Sequence, residues 1–274
     1  MKLFVDHLTV IDFAYLHPER GLLGESWIVD LELGGELDAQ GMVFDFADVK
    51  RDIKACLDEV ADHKLLVPLA APSLDWASVD ENLTWRFGQE QLRHRAPEEA
   101  YGAFEVDAIT PEAMEPILCD AIRRVVPDSV DHIGLDLRLE PGIEARPHYQ
   151  YVHGLKKHGG NCQRIAHGHR SAISVRTAGQ PRPDLNRQIA ERWRDIYLAT
   201  REDITRHARG RVEMAYDSAQ GYFELDMPEA RIDIMEEDTT VEYIAAHLAR
   251  TLREDGERDV EVRAWEGINK GALA

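Results

Sequence analysis

The chain has 274 residues, a formal net charge of −19 and 44% hydrophobic residues, which is typical of a globular protein with one large domain or two of moderate size. Its acidity disfavours nucleic acid as a partner, and no apolar run approaches the roughly 20 residues of a membrane-spanning helix. Three cysteines and no signal-peptide pattern predict a cytoplasmic protein without a disulfide framework.

The first half predicts a mixture of strands and amphipathic helices. Strands are predicted over Leu3–Tyr15, Ser26–Leu33, Thr84–Arg93, Tyr101–Asp107 and Ile133–Leu139. A helix is predicted over Asp45–Ala61, where apolar residues recur at helical spacing and Asp45 is a candidate N-cap. A second helix is predicted to begin at Thr110, with Pro111 in its first turn.

The second half predicts the same order of elements. Strands are predicted over Tyr149–His153, Ser171–Thr177, Arg211–Tyr216, Tyr222–Leu225 and Val260–Trp265. Helices are predicted over Asp184–Ala199 and from Thr239 to about Leu252. Each half is therefore expected to form an antiparallel sheet with two helices on one face, in the α+β class. A duplication with repeats at 1–146 and 147–274 is predicted, and its alternative is a chance resemblance between two α+β halves.

One short stretch contains a group of residues that can ligate a metal. His167 and His169 are two apart, which places both side chains on one face of a strand, and His153 lies a short loop upstream. Three imidazoles with an open fourth position are a ligand set of catalytic zinc. A single histidine in such a stretch is more often a surface or core residue, so the prediction rests on the group. Cys162 alone among the cysteines has polar and basic neighbours.

The same stretch is a basic island in an acidic chain, because 145–183 contains no Asp or Glu. Its cationic residues are Arg146, Lys156, Lys157, Arg164, Arg170, Arg176 and Arg182. One interpretation is a pocket for an anion, with phosphate the common case. The other is a basic loop paired with acids from elsewhere in the chain, and charge alone does not separate the two.

These motifs, taken together, resemble the family of 6-pyruvoyl-tetrahydropterin and 6-carboxy-tetrahydropterin synthases, which share the tunnelling fold (T-fold). The matching segments are Tyr149…His153, Cys162, His167-Gly168-His169, Gly41-Met42-Val43-Phe44-Asp45-Phe46, Asp62-His63 and Glu266. They are distributed over both halves. The resemblance therefore implies a tandem fusion of two family subunits, each with the T-fold.

The departures from the family pattern differ between the halves. In the first half His17 fits the upstream histidine, but Leu23-Gly24-Glu25 stands where His-Gly-His is expected. In the second half 199–203 stands where the Asp-His pair is expected. Each half thus lacks what the other retains, which predicts one composite site with its metal ligands in the second repeat and its Asp-His pair in the first.

The resemblance implies a substrate, a cofactor and a role for each site residue. The substrate would be 7,8-dihydroneopterin triphosphate or a close reduced pterin, and the product 6-pyruvoyl- or 6-carboxy-tetrahydropterin. Zn²⁺ would be bound by His153, His167 and His169, with Cys162, Asp62 and His63 as catalytic groups. Glu266 or its rival Glu140 would bind the pterin, and Lys156, Lys157 and Arg164 the triphosphate. Family members associate into rings, which implies a homo-oligomer.

Two other functions remain open from the sequence. A zinc hydrolase of another class would leave Asp62-His63 and the paired halves unexplained. A non-catalytic pterin- or purine-binding protein is the alternative outside enzymes, because degenerate repeats can keep fold and ligand after losing chemistry. The retained Cys162 argues for catalysis.

Overall fold

The computed structural model describes residues 1–37, 41–43, 46–76 and 82–274, with the side chains of all of these except 46–48. The helices of this part are α1 (Phe46–Val60), α2 (Pro111–Arg123), α3 (Pro183–Arg192) and α4 (Val241–Glu254). The first-half strands are β1 (Lys2–His17), β2 (Gly21–Gly35), β3 (Leu65–Pro68), β4 (Leu74–Asp75), β5 (Leu83–Phe87), β6 (Glu90–Arg95), β7 (Tyr101–Phe104) and β8 (Val130–Arg138). The second-half strands are β9 (His148–His153), β10 (His167–Thr177), β11 (Gln180–Pro181), β12 (Ile196–Thr200), β13 (Ile204–Ala208), β14 (Arg211–Ser218), β15 (Gly221–Pro228), β16 (Ile232–Met235), β17 (Val260–Trp265) and β18 (Gly271–Leu273).

Each half builds one sheet, and the two sheets have the same topology. The first has the order β7-β3-β1-β2-β8, and the second contains the matching order β16-β12-β9-β10-β17. The β1–β2 and β9–β10 pairings are both antiparallel, and the β1–β3 and β9–β12 pairings are both parallel. Apolar faces of α1 and α2 pack on the first sheet, and those of α3 and α4 on the second. The duplication and the α+β class are confirmed.

The sheets are mixed, which amends the expectation of antiparallel sheets. Strand β3 runs parallel to both β1 and β7, and β12 runs parallel to both β9 and β16. A helix precedes β3 and another precedes β12, and such crossover connections are what parallel neighbours require. Strands of this kind are buried on both faces, so they lack the alternation that marks an antiparallel strand in a sequence.

A third sheet joins the halves, with the order β13-β14-β15-β6-β5-β4. Its central seam is the antiparallel pairing of β6 from the first half with β15 from the second. A hydrophobic core of residues from all three sheets lies between them, with Trp85, Phe223 and Val152 all fully buried. This third core therefore needs both halves, whereas each repeat also has a core of its own beneath its helices.

The two repeat sheets touch where β2 crosses β10. A Cβ atom on Gly24 would lie 2.0 Å from the carbonyl oxygen of Tyr151, and one on Gly168 would lie 2.6 Å from the Cα of Gly24. No side chain fits in these gaps, so glycine at both positions allows the two backbones to approach. This crossing brings β10, the strand of His167 and His169, against β1 and β2 of the first repeat.

Several predicted elements are confirmed and one is wrong. Thr110 and Thr240 accept hydrogen bonds as N-caps of α2 and α4. The predicted strand Thr84–Arg93 is a hairpin of β5 and β6 that turns at Gly88, whose φ is +55°. The predicted helix Asp184–Ala199 ends at Arg192, because Ile196–Thr200 forms β12.

The reason for that error is the pattern of β12, whose five residues are all buried. A short apolar run does not distinguish a buried strand from a continuing helix by periodicity alone. The predicted cap Asp45, with Phe44 of the same motif, lies outside the described residues. No helix in the described ranges is both long and apolar enough to cross a membrane.

Candidate metal centre and active site

Three buried histidines meet at the start of β10. His167 lies directly opposite His153 in the antiparallel β9–β10 pairing, and His169 follows on the same face of β10. The ring centroid of His153 is 4.2 Å from that of His167 and 5.4 Å from that of His169. Ligand atoms of all three residues lie within 4.8 Å of one another. The strand register alone therefore produces the cluster that the sequence predicts.

Backbone contacts fix the orientation of two of these rings. His153 Nδ1 lies 2.9 Å from the carbonyl oxygen of Thr239, and His167 Nδ1 lies 3.1 Å from that of Arg164. Because a carbonyl oxygen only accepts, each Nδ1 carries the proton and each Nε2 carries a lone pair. The Nε2 atoms of His153, His167 and His169 are buried without a hydrogen-bond partner in the described part of the chain. Buried, unpartnered and converging imidazole nitrogens fit a metal ion.

The protonation of these histidines also suits a metal. Burial and the neighbouring His169 keep the pKa of His153 well below its ordinary value. Burial, together with His153 and His63, does the same for the pKa of His167. Both imidazoles are thus neutral, which is the form that ligates a metal.

The third histidine is supported from the other repeat. His169 Nδ1 lies 3.2 Å from Oδ1 of Asp12, a buried residue of β1. Ser26 donates a hydrogen bond to the same carboxylate, and Lys270 Nζ lies 3.4 Å from Asp12 Oδ2. Burial would raise the pKa of Asp12, but His169, Lys270 and Ser26 together lower it to about 2. An ionised carboxylate therefore faces the metal-ligand histidine, as in many metalloproteins.

Asp62 and His63 lie beside the histidine cluster, in the turn between α1 and β3. His63 has a φ of +53° and donates its backbone N–H to Asp12 O at 2.7 Å. Asp62 Oδ1 accepts from the Asp12 N–H at 2.8 Å, and Asp62 Oδ2 is hydrogen-bonded to His63 Nδ1. The His63 ring lies 5.2 Å from that of His167. Asp12 thus holds the Asp62-His63 pair with its backbone and His169 with its side chain.

Cys162 completes a second group of ligating residues with His63 and His167. The thiol and the two imidazoles lie within 4.8 Å of one another. Cys162 is part of a short helical turn, Asn161–Gln163, and is half-buried. Burial opposes a charge on His63, but its hydrogen bonds with Asp62 and Cys162 outweigh burial and raise the pKa of His63 to about 10. The imidazole is therefore placed to hold a proton next to the thiol.

The two candidate pterin-binding glutamates have different surroundings. Glu266 follows β17, and its Oε2 lies 3.6 Å from Lys270 Nζ, the amine that also contacts Asp12. Glu140 forms an ion pair with Arg146 at 2.5 Å. Through Lys270, Glu266 is linked to the histidine cluster, and this favours it over Glu140.

The three basic residues predicted to bind phosphate also differ. Lys156 pairs with Glu202 and Asp203, and Lys157 pairs with Glu202 and Asp238. For these two lysines the structure favours the interpretation of a basic loop paired with acids elsewhere.

Arg164 has a different environment from the lysines. It is buried, and it donates to Gln220 Oε1 at 3.0 Å and to the carbonyl oxygen of His63 at 3.3 Å. It forms no ion pair with a carboxylate in the described part of the chain. A buried guanidinium without an anionic partner is costly unless a ligand supplies the charge.

The sheet register corrects the predicted equivalence between the repeats. Gly24 lies opposite Ala14 as Gly168 lies opposite Val152. Tyr15 therefore occupies the place of His153, and the predicted counterpart His17 lies two residues further on. No ligand group among the described residues includes Tyr15, Leu23 or Glu25, which is consistent with a metal site in the second repeat alone.

The counterpart of the Asp-His pair is also corrected. In the second repeat the turn between helix and strand is Arg194-Asp195, because α3 ends before it and β12 follows it. Asp195 has a φ of +59°, matching the left-handed backbone of His63. The predicted counterpart at 199–203 belongs instead to the end of β12 and the turn after it. The reason for this difference is that α3 ends at Arg192, whereas the predicted helix runs to Ala199.

Sequence reasoning missed Asp12, Ser26, Thr239 and Lys270, which surround the site. A signal was present for Asp12, because a carboxylate between Ile11 and Phe13 stands in an otherwise apolar segment, and buried acids are rarely without a partner. Lys270 and Thr239 carry no comparable signal. Their places follow from the positions of loops that no local pattern specifies.

The known proteins that this chain is similar to belong to one family. A family model described as 6-pyruvoyl tetrahydropterin synthase matches residues 9–130 and again residues 142–274. A solved structure of 6-pyruvoyl tetrahydropterin synthase from Plasmodium vivax is 18% identical, covers 52% of this chain and 92% of its own, and has a TM-score of 0.44. The synthase from Plasmodium falciparum is 16% identical with the same coverage and TM-score. No curated protein matches. The two matched segments span nearly the whole chain, which therefore belongs to the 6-pyruvoyl tetrahydropterin synthase family as a tandem of two family units.

Proposed function

We propose that the chain is a zinc-dependent lyase that converts 7,8-dihydroneopterin triphosphate, or a close reduced pterin, into 6-pyruvoyl- or 6-carboxy-tetrahydropterin. The observation that carries the proposal is the convergence of three unpartnered imidazole nitrogens beside a second group of His63 and Cys162. Membership in the family supports the class of reaction. The proposed repeat boundary is between residues 146 and 147, in the connection from β8 to β9.

His153, His167 and His169 would hold the zinc ion through their Nε2 atoms. A bound zinc ion supplies Lewis-acid chemistry, which favours loss of protons from a hydroxylated side chain. The chain's own residues hold these rings in a fixed orientation, since Thr239, Arg164 and Asp12 contact their Nδ1 atoms.

His63 and Cys162 would move the protons. Asp62 fixes the His63 ring through Nδ1, which leaves Nε2 to face the thiol and the substrate. The thiol lies between His63 and His167, so a proton can pass between Cys162 and His63 without rearrangement of the backbone. General acid–base groups of this kind contribute about two to four orders of magnitude to a rate.

Glu266 and Arg164 would bind the two ends of the substrate. The carboxylate of Glu266 is suited to accept hydrogen bonds from the amino-pyrimidine edge of a pterin. Arg164 would bind the triphosphate, because it forms no ion pair with a described carboxylate that the phosphate would first have to displace. For Lys156 and Lys157 to bind phosphate, a triphosphate would have to compete with Glu202, Asp203 and Asp238.

Incubation of the zinc-loaded protein with dihydroneopterin triphosphate tests the proposal. We expect release of triphosphate, with acetaldehyde as well if the product is 6-carboxy-tetrahydropterin. The purified protein should contain one equivalent of zinc per chain, and His167→Ala should contain nearly none. The absence of triphosphate release from zinc-loaded protein that still binds the pterin would favour the non-catalytic binding protein instead.

A variant of His63 separates catalysis from metal binding. His63→Ala should retain its zinc and its affinity for the pterin but lose about two to four orders of magnitude in rate. Cys162→Ala should behave alike, and the double variant should be little slower than either single variant if both groups act in one step. Full activity of His63→Ala would exclude the Asp62-His63 pair from the reaction.

A further inference from the structure

The degenerate copy of the active site contains a cavity of about 670 Å³. It lies between the segment that leads into β9, the start of that strand and α3. Gln150 lines it in the position equivalent to Asp12, and Arg194-Asp195 lines it in the position equivalent to Asp62-His63. The metal ligands are gone, but a cleft remains at the same place in the pseudo-symmetric arrangement.

Arginines dominate the charge of this cavity. Five of them line it, against three carboxylates, in a chain with a net charge of −19. These arginines are Arg20, Arg146, Arg170, Arg187 and Arg194. Glu140 and Glu25, which are not among the lining residues, pair with Arg146 and Arg170, so the charge available to an anion comes from the arginines without an acidic partner among the described residues.

Buried ion pairs fix the guanidinium groups on the inner side of the cavity. Arg20 donates through Nε and Nη2 to Asp195, and Arg170 donates through Nε and Nη2 to Glu25 at 2.7 Å. Both carboxylates are about 4% exposed, so these pairs are held in a dry setting. Arg20 Nη1 makes no hydrogen bond within the described ranges, so it remains a donor at a fixed position.

Two further arginines at the rim have no anionic partner. Arg187 on α3 and Arg194 in the turn after it form no ion pair and no side-chain hydrogen bond with any described residue, and both are exposed. Together with Arg20 they offer guanidinium donors from three places around one cavity. Guanidinium groups arranged in this way bind the oxygens of phosphate and carboxylate groups.

We propose that this cavity binds a compact polyanion, namely a small molecule that carries at least two phosphate or carboxylate groups. In the degenerate repeat, arginines replace the metal, the imidazole and the thiol as the source of affinity. The site needs no metal, and it does not depend on the catalytic activity proposed for the other copy.

Titration calorimetry of the full-length, zinc-loaded chain tests the proposal with two weakly chelating probes at constant ionic strength. Fructose 1,6-bisphosphate presents phosphate groups, and tricarballylate presents carboxylates. The double variant Arg187→Ala/Arg194→Ala should bind the preferred probe at least about tenfold more weakly, because each arginine contributes charged hydrogen bonds. Both residues are exposed, so the variant should fold normally.

The matched control is Arg209→Ala/Arg258→Ala, which removes two exposed arginines outside the cavity and changes the net charge equally. It should bind the probe like the wild type. Binding of either probe with this pattern supports the proposal, and the preferred probe identifies the chemical group. The proposal is overturned if neither probe binds at millimolar concentration, if the Arg187/Arg194 variant binds like the wild type, or if the control is weakened equally.

Discussion

Asp12 contacts candidate site residues of both repeats. Its side chain lies against His169, a candidate metal ligand of the second repeat, and its backbone N–H and carbonyl hold Asp62 and His63 of the first. A carboxylate behind a ligating histidine fixes the ring and increases its basicity. The candidate metal site of the second repeat is therefore contacted by a side chain from the first.

Asp12→Asn should lower the affinity for zinc by about 10- to 100-fold, which is typical for the loss of such a carboxylate. Competition with a chromophoric chelator measures this affinity without reference to activity. Asp6→Asn, an exposed position on the same strand, is the control and should match the wild type. If wild type binds zinc and Asp12→Asn binds it equally well, Asp12 has no such role.

The crossing of β2 and β10 makes a separate prediction. Gly24→Ala places a methyl group against backbone atoms that do not move independently, the carbonyl of Tyr151 and the amide of His169. Overpacking of this kind costs about 1 to 3 kcal/mol. Chemical denaturation should show that loss, whereas Gly159→Ala, with no atom within 4 Å of the added carbon, should be nearly neutral. Equal stability of the two variants would contradict the close contact.

At the scale of elements, Asp233 on β16 holds two helices in place. Its carboxylate accepts hydrogen bonds from Trp193 at 2.7 Å and Arg192 at 2.8 Å, at the end of α3, and lies 3.6 Å from His247 on α4. Burial would raise the pKa of Asp233, but these three partners lower it below its ordinary value of 3.8. The ionised form thus stabilises the fold, and this contribution is complete above pH 3.8 and lost as the pH falls through the folded-state pKa.

Asp233→Ala should lower the free energy of unfolding by about 2 to 3 kcal/mol at neutral pH, since a charged acceptor is removed and the buried Trp193 N–H loses its partner. The difference from wild type should shrink below pH 3.8, where the wild-type carboxylate also becomes protonated. Urea unfolding over a pH series measures both effects. Asp128→Ala, at an exposed position, should show neither, and a pH-independent gap for Asp233→Ala would argue against the ionic contribution.

The elements that could be predicted from sequence are those with a local signature. The predicted starts of α2 at Thr110 and of α4 near Thr239 and the alternating strands β14 and β15 follow from short-range rules, and they are found where predicted. The fully buried short strands β3 and β12 and the half-buried β16 were missed or misassigned. Their conformation is decided by parallel neighbours from distant parts of the chain, which leave no period in the sequence.

The residues of the candidate site also divide into those that a local sequence pattern predicts and those that it does not. The His167-Gly168-His169 cluster could be predicted, because strand spacing alone aligns its rings. The support from Asp12 could not, since it requires the crossing of two sheets. The equivalence of Tyr15 with His153 also required the observed register, because a shift of two residues keeps the same face and leaves the alternation unchanged.

At the scale of the whole molecule, the repeat sheets end in strands without a partner on their outer side in the described structure. Among these are β8 in the first sheet and β7 at its other end. Exposed edges readily pair with another copy. We therefore predict a homo-oligomer in which pseudo-equivalent repeats alternate around a ring. Light scattering during size-exclusion chromatography would measure the mass, and a monomer at micromolar concentration would contradict the prediction.

The shared third sheet has a consequence for the order in which the chain folds. During synthesis β6 emerges from the ribosome long before β15, its partner in the seam, has been translated. Until then the nascent first repeat presents an open edge and half of an unfinished core, a state that invites aggregation. Completion of the shared core therefore waits for the second repeat, and we expect a chain that terminates in the connection before β9 to expose the β6 edge and its half of that core.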